Sequence, residues 1–195
     1  MRIQPRIISV FGSSHPRTGD LHYGEARALG AELAAKGFVV CTGGYAGVME
    51  AVSRGAKEAG GRTLAVTAKF FAAHANRWID EEIRVETWQE RLFELVERGR
   101  GYVTCPGGTG TLAELAVVLE MLNKRVMGPK PMVVLGDYWR PIVECVCGAG
   151  LDRAPAWSAR TGDLVHFVAS PADAVAKLAA HFENLTNKRR MTRAK

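Results

Sequence analysis

Residues 101–115 read GYVTCPGGTGTLAEL, in which an apolar segment, a glycine-rich loop and the start of a helical pattern follow one another. The segment GYVTC predicts a strand, and the apolar residues after the loop recur at helical spacing as far as Asn123. Strand followed by helix is the repeating unit of parallel sheets, because parallel neighbours need a long crossover connection. This stretch therefore predicts an α/β protein.

The same order of strand, loop and helix recurs along the rest of the chain. Further strands are predicted at residues 6–11, 38–42, 63–68, 83–86, 130–136 and 164–168. Further helices are predicted at residues 23–36, up to about 59, 87–98, 141–147 and 171–185. Residues 69–82 show no clear pattern. The alternation favours a Rossmann-like, doubly wound fold with a mostly parallel sheet and helices on both faces.

Length and composition indicate one folded domain. The chain has 195 residues, of which 47% are hydrophobic and 24% charged, as in ordinary globular proteins. No solenoid repeat or linker interrupts it, so residues 1–186 are interpreted as a single nucleotide-binding domain. No apolar run is long enough for a membrane span or a signal peptide, and the four cysteines lack metal-site spacing. We expect a cytoplasmic protein with free thiols, no membrane partner and no bound metal.

The net charge of +6 is concentrated at the end of the chain. The last nine residues, NKRRMTRAK, hold five of the 26 basic residues and no acidic one, so 21 basic face 20 acidic residues elsewhere. A nearly neutral body argues against a nucleic-acid partner. Residues 187–195 are predicted to be a basic, disordered tail, since they offer few apolar side chains for packing.

Three loops that follow predicted strands are rich in small residues, and together they predict a phosphate site. Glycine lets backbone N–H groups approach an anion closely, and the helix that follows each loop adds its positive end. The alternative is that each loop is a tight turn without a ligand. The candidate binding residues are Ser13, Gly43, Gly44, Gly47, Gly107, Gly108, Thr109, Gly110 and Thr111.

The pattern of glycines restricts the kind of phosphate site. No P-loop sequence is present, which argues against a P-loop nucleotidase. Gly108, Gly110 and Ala113 satisfy the loose G-x-G-x-x-A dinucleotide pattern, but not in the first βαβ unit. The second strand also ends at Thr42 rather than at an acid, so NAD binding is disfavoured and no cofactor is predicted.

Glu114 and Arg91 are the candidate catalytic side chains. Thr111 and Glu114 have capping-box spacing, so Glu114 has both a structural interpretation and a functional one beside the phosphate loop. A second capping box, Thr87 to Glu90, places Arg91 in the first turn of a helix, where the helix dipole disfavours a cation. A residue that breaks a local rule is a functional candidate; the alternative is an arginine whose stem packs while its head reaches water.

PGGTGTLAE resembles the P-G-G-x-G-T-x-x-E signature of the Lonely Guy (LOG) family, the cytokinin riboside 5′-monophosphate phosphoribohydrolases often misannotated as lysine decarboxylases. The resemblance extends over roughly residues 6–150. It includes GSS after the first strand, the Gly43 loop, an arginine fifteen residues before the signature proline, and KPMVVLGDYW. The chain departs from the usual family sequence at four positions: Tyr45 stands in place of a third glycine, Leu92 of a lysine, Ala113 of the first of two glutamates and Trp88 of a methionine.

The resemblance implies a Rossmann-like homodimer that hydrolyses the N-glycosidic bond of a nucleoside 5′-monophosphate. The substrate would be AMP or a cytokinin riboside monophosphate, and the products the free base and ribose 5-phosphate. It places the family's essential glutamate at Glu114 and its essential arginine at Arg91, with phosphate and ribose held by 108–111. The alternative on the same fold is a non-catalytic carrier of a nucleotide or of the molybdenum cofactor. A lysine decarboxylase finds no support, since no lysine stands in a recognisable pyridoxal phosphate context.

Overall fold

A computed structural model describes the backbone of residues 5–148 and 164–193, and the side chains of 5–146 and 164–187. Within these ranges the chain forms seven strands, six α-helices and a short 3-10 helix, Lys69–Phe71. The strands are β1 Ile7–Phe11, β2 Val39–Thr42, β3 Arg62–Ala68, β4 Glu81–Val85, β5 Gly101–Thr104, β6 Met132–Leu135 and β7 Val165–Val168. The helices are α1 Leu21–Ala35, α2 Val48–Glu58, α3 Trp88–Arg98, α4 Thr109–Asn123, α5 Arg140–Gly148 and α6 Pro171–Arg193.

All seven strands pair in parallel in one sheet of order β4-β3-β2-β1-β5-β6-β7. The chain builds outward from β1 to β4, then returns to the other side of β1 with β5 and continues to β7. The direction of winding therefore changes between β1 and β5. In open parallel sheets, ligands bind beyond the carboxyl ends of the strands at such a switch point.

Helices cover both faces of this sheet, which confirms the predicted fold class. Helices α1, α2 and α6 pack on one face, where Ile8, Val10 and Val40 enter the core. Helices α3, α4 and α5 pack on the other face, which contains Phe11 and Tyr102. In the central strands β1, β5 and β6, neighbouring residues therefore point to opposite faces that are both buried, which explains why these strands read as continuous apolar runs.

The structure differs from the sequence predictions at several element ends. Helix α4 begins at Thr109, and the unassigned segment contains the 3-10 helix. Helix α6 extends to Arg193, so the predicted disordered tail is helical in backbone as far as the structure describes it. Lysine, arginine and methionine are good helix formers, so a segment with few apolar residues can still prolong a helix.

Two features of the described residues bear on function. None of the helices in these ranges combines the length and the apolar character needed to cross a bilayer. Within the same ranges, no three His, Cys, Asp or Glu side chains are grouped so that they could hold a metal ion. Cys41 and Cys105 are buried free thiols and Cys145 is an exposed one, whereas the side chain of Cys147 lies outside the described residues.

Candidate functional site

The three predicted loops meet at the carboxyl ends of β1, β2 and β5. The amide of Ser13 donates to the carbonyl of Pro106 at 3.1 Å, which joins the loops after β1 and β5. The amide of Val48, at the start of α2, donates to the carbonyl of Ser13 at 2.8 Å. The loop after β1 thus lies between the other two, at the switch point of the sheet.

Glycine is required where these loops touch. A Cβ at Gly47 would lie 2.3 Å from the carbonyl oxygen of Ser13, and the φ angle of Gly47 is +70°. A Cβ at Gly107 would lie 2.2 Å from Oγ1 of Thr111 and 3.0 Å from the amide nitrogen of Ser13. Larger residues would separate the loops, so these glycines keep the backbone at the switch point closely packed.

The N-terminus of α4 faces solvent and has no side-chain cap. Its N-cap residue is Gly108, and Gly108, Thr109 and Gly110 are all exposed, with open space around a Cβ built on either glycine. The first N–H groups of an α-helix have no intrahelical partner and carry its positive end. This end of α4 is therefore suited to bind a phosphate.

One of the two predicted capping boxes forms. Glu90 donates its amide to Oγ1 of Thr87 at 3.1 Å, and the carboxylate of Glu90 accepts the amide of Thr87 at 3.2 Å. The capping box predicted from Thr111 to Glu114 is wrong, because α4 begins three residues earlier, with Gly108 rather than Thr111 as its N-cap residue. Glu114 therefore lies in the second turn of α4, within the protein rather than at the helix end.

Arg91 and Glu114 form a buried ion pair. Nη1 of Arg91 lies 3.5 Å from Oε1 of Glu114, and only 7% and 11% of the two side chains are exposed. Nε of Arg91 donates to the carbonyl of Val66 in β3 at 3.1 Å, which fixes the plane of the guanidinium. A Cβ at Gly43 would lie 1.6 Å from Nη2 of Arg91, so the glycine at this position makes room for the arginine.

Burial sets the protonation of Glu114. It raises the pKa of this carboxyl to about 7, and the positive charge of Arg91 opposes that rise. A carboxyl with a pKa near neutrality can take up and release a proton under physiological conditions. Glu114 thus lies in the helix whose N-terminus is suited to bind phosphate, and its carboxyl can exchange a proton near neutral pH.

Gly43 and Gly44 have structural roles below the surface. Both are buried, and the amide of Gly44 donates to Oγ1 of Thr42 at 3.0 Å within a turn that gives Gly44 a φ of +78°. The carbonyl of Gly44 accepts from the side chain of Asn76 at 2.9 Å. Of the predicted phosphate-binding residues, these two therefore hold the loop after β2 in place, while 108–110 face solvent.

The sequence did not identify the aromatic residues beside Arg91. The guanidinium carbon of Arg91 lies 5.4 Å from the ring centroid of Tyr45 and 5.7 Å from that of Phe71. Such distances are typical of cation–π contacts. The replacement of a family glycine by Tyr45 was the available signal, whereas Phe71 lies in the segment without a clear pattern.

Comparison with known proteins identifies relatives of this chain. The family model described as the SLOG cluster4 family matches residues 5–140. The cytokinin riboside 5′-monophosphate phosphoribohydrolase of Mycobacterium marinum is 37% identical over 138 residues, which are 68% of this chain and 70% of that protein. The protein of the same name from Rhodococcoides fascians is 27% identical over 157 residues, 77% of this chain and 79% of that protein.

A solved structure has a similar fold. The molybdenum cofactor carrier protein of Chlamydomonas reinhardtii superposes with a TM-score of 0.72 at 27% identity, covering 91% of this chain and 98% of that one. The resemblance drawn from PGGTGTLAE is thus confirmed at the level of the family. The switch-point loops and the Arg91–Glu114 pair all lie within the matched residues, and the chain belongs to the SLOG cluster4 family.

Proposed function

We propose that this protein is a nucleoside 5′-monophosphate phosphoribohydrolase. It hydrolyses the N-glycosidic bond of AMP or of a cytokinin riboside monophosphate and releases the free base and ribose 5-phosphate. The buried ion pair of Arg91 and Glu114, next to the uncapped N-terminus of α4, is the observation that carries this proposal. The names of its family relatives support the same activity.

Helix α4 supplies groups for both the phosphate and the ribose of the substrate. The exposed N–H groups around Thr109 and Gly110 bind the 5′-phosphate. Ser13 on the neighbouring loop contributes its hydroxyl, since its amide donates to Pro106. Glu114 lies one turn further along the same helix, about 6 Å along its axis from the first turn, at 1.5 Å rise per residue. This distance suits a ribose whose phosphate is held at the helix end and whose C1′ faces the carboxyl.

The chemistry requires a negative charge close to C1′. As the bond from C1′ to the base nitrogen breaks, its electron pair leaves with the base and positive charge develops on the ribose. The carboxylate of Glu114 stabilises this charge and accepts a proton from the water that forms the new bond to C1′. That proton balances the one the departing base gains from solvent, so the net reaction is a hydrolysis.

Arg91 keeps Glu114 usable at neutral pH. Without a cation, a buried carboxyl would remain protonated and could neither stabilise positive charge nor accept a proton. The guanidinium lowers the pKa of Glu114 against the effect of burial. Nη1 of Arg91 lies 3.5 Å from Oε1 of Glu114, so the positive charge is close enough to act on this carboxyl.

A carrier of a nucleotide or of the molybdenum cofactor is the second candidate function. The similarity in fold to the Chlamydomonas carrier favours it, since the same switch point would hold an anionic ligand. A carrier needs the phosphate-binding helix end but not the carboxyl. The two functions therefore differ in the effect of removing the charge of Glu114.

The deciding experiment is an activity panel with a matched control. The protein is incubated with common nucleoside 5′-monophosphates and isopentenyladenosine 5′-monophosphate, and free base and ribose 5-phosphate are quantified by chromatography. We expect release of both products, and a loss of at least 100-fold in kcat for Glu114→Gln. Glu120→Gln changes an exposed glutamate of the same helix and should retain activity. Saturable binding without base release, equal in Glu114→Gln, would instead establish the carrier.

We also propose that the protein is a homodimer, which light scattering of the purified protein tests, and that it is located in the cytoplasm, which fractionation of cells tests. A role in cytokinin biosynthesis would require the isopentenyl substrate to be preferred over AMP in the same panel.

A further inference from the structure

We propose that Phe71, supported by Tyr45 and extended by Phe70, is the platform on which the nucleobase of the substrate stacks. This inference rests on the proposed function, because it takes the ligand to be a nucleoside monophosphate. Phe70 and Phe71 form most of the 3-10 helix after β3. Phe70 is 72% exposed to solvent and Phe71 is 42% exposed. Two adjacent exposed phenylalanines at the rim of a binding site indicate a surface that a ligand covers.

The three rings form a connected cluster. The centroids of Tyr45 and Phe71 lie 5.5 Å apart at 73°, and those of Phe70 and Phe71 lie 5.3 Å apart at 81°. Both are edge-to-face contacts. Tyr45 is half-buried and supports Phe71 from the protein side, which leaves part of Phe71 facing solvent.

Hydrogen bonds hold this cluster against the loop after β2. The hydroxyl of Tyr45 accepts the amide of Ala68 at 3.0 Å, and Ala68 directly precedes the 3-10 helix. The side chain of Asn76 donates to the carbonyls of Gly44 and Tyr45 at 2.9 and 3.0 Å. The segment that carries Phe71 is therefore fastened at both ends, so that the ring is presented in a defined position.

The aromatic cluster lies next to the buried ion pair, because Arg91 is close to both. Nη1 of Arg91 lies 3.5 Å from Oε1 of Glu114, and the guanidinium carbon lies 5.7 Å from the ring centroid of Phe71. In the substrate, the base is attached directly to C1′, the atom next to which Glu114 is proposed to act. A base on a ribose held at Glu114 must therefore lie within a few ångströms of the pair, and Phe71 is the exposed aromatic residue that also contacts Arg91.

An aromatic platform determines which part of the base is recognised. It contacts the flat face, which every base has, rather than the hydrogen-bonding edge. We therefore expect purine monophosphates to bind better than pyrimidine ones, because purines have the larger face.

The test compares ligands with and without a base. Affinities for AMP and for ribose 5-phosphate are measured by calorimetry in the Glu114→Gln background, which prevents turnover. Phe71→Ala should weaken AMP binding by about 10-fold to 100-fold, in line with the loss of a base–aromatic stack. It should leave ribose 5-phosphate binding within twofold, since that ligand has no base. Phe71→Trp should restore AMP binding, whereas Phe71→Leu, which keeps apolar bulk, should restore it only in part.

Control variants exclude indirect effects. Val126→Ala shortens an apolar residue that is 70% exposed and lies between the C-terminus of α4 and the amino end of β6, away from the carboxyl ends of the strands, and should change neither affinity. Thermal melting of each variant checks that the fold is intact. Equal weakening of both ligands by Phe71→Ala, no weakening of AMP, or a larger loss in Phe70→Ala would each overturn the assignment. If the protein hydrolyses neither AMP nor isopentenyladenosine 5′-monophosphate, the hydrolase proposal fails, but this binding comparison still decides the role of Phe71.

Discussion

Replacing Glu114 by glutamine should stabilise the protein at alkaline pH and not at acidic pH. The pKa of this carboxyl rises from 4.5 to about 7 on folding, chiefly because burial disfavours its charged form. Between these two values the folded state holds a proton that the unfolded state has released, so stability falls as pH rises. The loss is complete above pH 7 and amounts to ~3 kcal/mol at roughly 1.4 kcal/mol for each pH unit. Glutamine resembles the protonated glutamate and lacks this loss.

The measurement is urea unfolding of wild type and Glu114→Gln between pH 4 and pH 8, followed by tryptophan fluorescence. We expect the variant to be more stable by ~3 kcal/mol at pH 8, with the difference shrinking to near zero at pH 4. Glu120→Gln, on the exposed side of the same helix, should show no such pH-dependent difference. If Glu114→Gln were less stable than wild type at pH 8, attraction to Arg91 would outweigh the cost of burial, and the reasoning would be refuted.

Three further substitutions test the loops and the helix that position the site. Gly43→Ala should lower kcat/KM by about 100-fold, because a Cβ 1.6 Å from Nη2 displaces Arg91; unchanged kinetics would contradict this placement. Gly47→Ala should destabilise the protein by about 1–3 kcal/mol in urea unfolding, because its φ is +70° and its Cβ would meet the carbonyl of Ser13. Thr87→Ala removes the N-cap of α3 and should cost about 1 kcal/mol, seen as a fall in Tm of ~2–4 °C; an unchanged Tm would argue against the capping box.

The order of elements was predictable because it depends on local properties of the sequence. Strands buried on both faces read as short apolar runs, and glycines mark where α1, α2 and α3 stop. Gly37, for example, has a φ of +73° immediately after α1 and its C-cap residue. Since parallel strands require crossovers, recognising the strand–helix alternation was sufficient to predict the sheet and its functional edge.

Arg91 could be identified as a candidate because a local rule fails there. The capping box that starts α3 forms as predicted, so the position of Arg91 near the positive end of that helix follows from sequence. Its stem borders the apolar stripe of α3, but its head is buried, contrary to the structural alternative of an arginine that reaches water. A buried cation near a helix N-terminus requires compensation, which Glu114 supplies from a different helix.

The remaining features depend on contacts between distant segments. The start of α4 at Thr109 could not be separated from a start near Thr111, because glycine and threonine both serve as N-cap residues. The platform at Phe71 depends on Asn76 and Tyr45, whose hydrogen bonds join segments about thirty residues apart. No periodic pattern records such contacts, which is why the secondary structure of residues 69–82 could not be predicted.

The ion pair itself distinguishes an enzyme from a carrier on physical grounds. A site that only holds an anionic ligand gains nothing from a carboxyl beside the phosphate-binding helix, because the carboxylate and the phosphate repel each other. Burial also raises the pKa of Glu114, so its charged form destabilises the folded protein at neutral pH. Both effects count against Glu114 in a site that only binds a ligand. In a hydrolase the carboxylate has a use that offsets them, because positive charge develops on the ribose as the glycosidic bond breaks. The carboxylate is thus complementary to the transition state rather than to the bound nucleotide, which is the arrangement that accelerates a reaction.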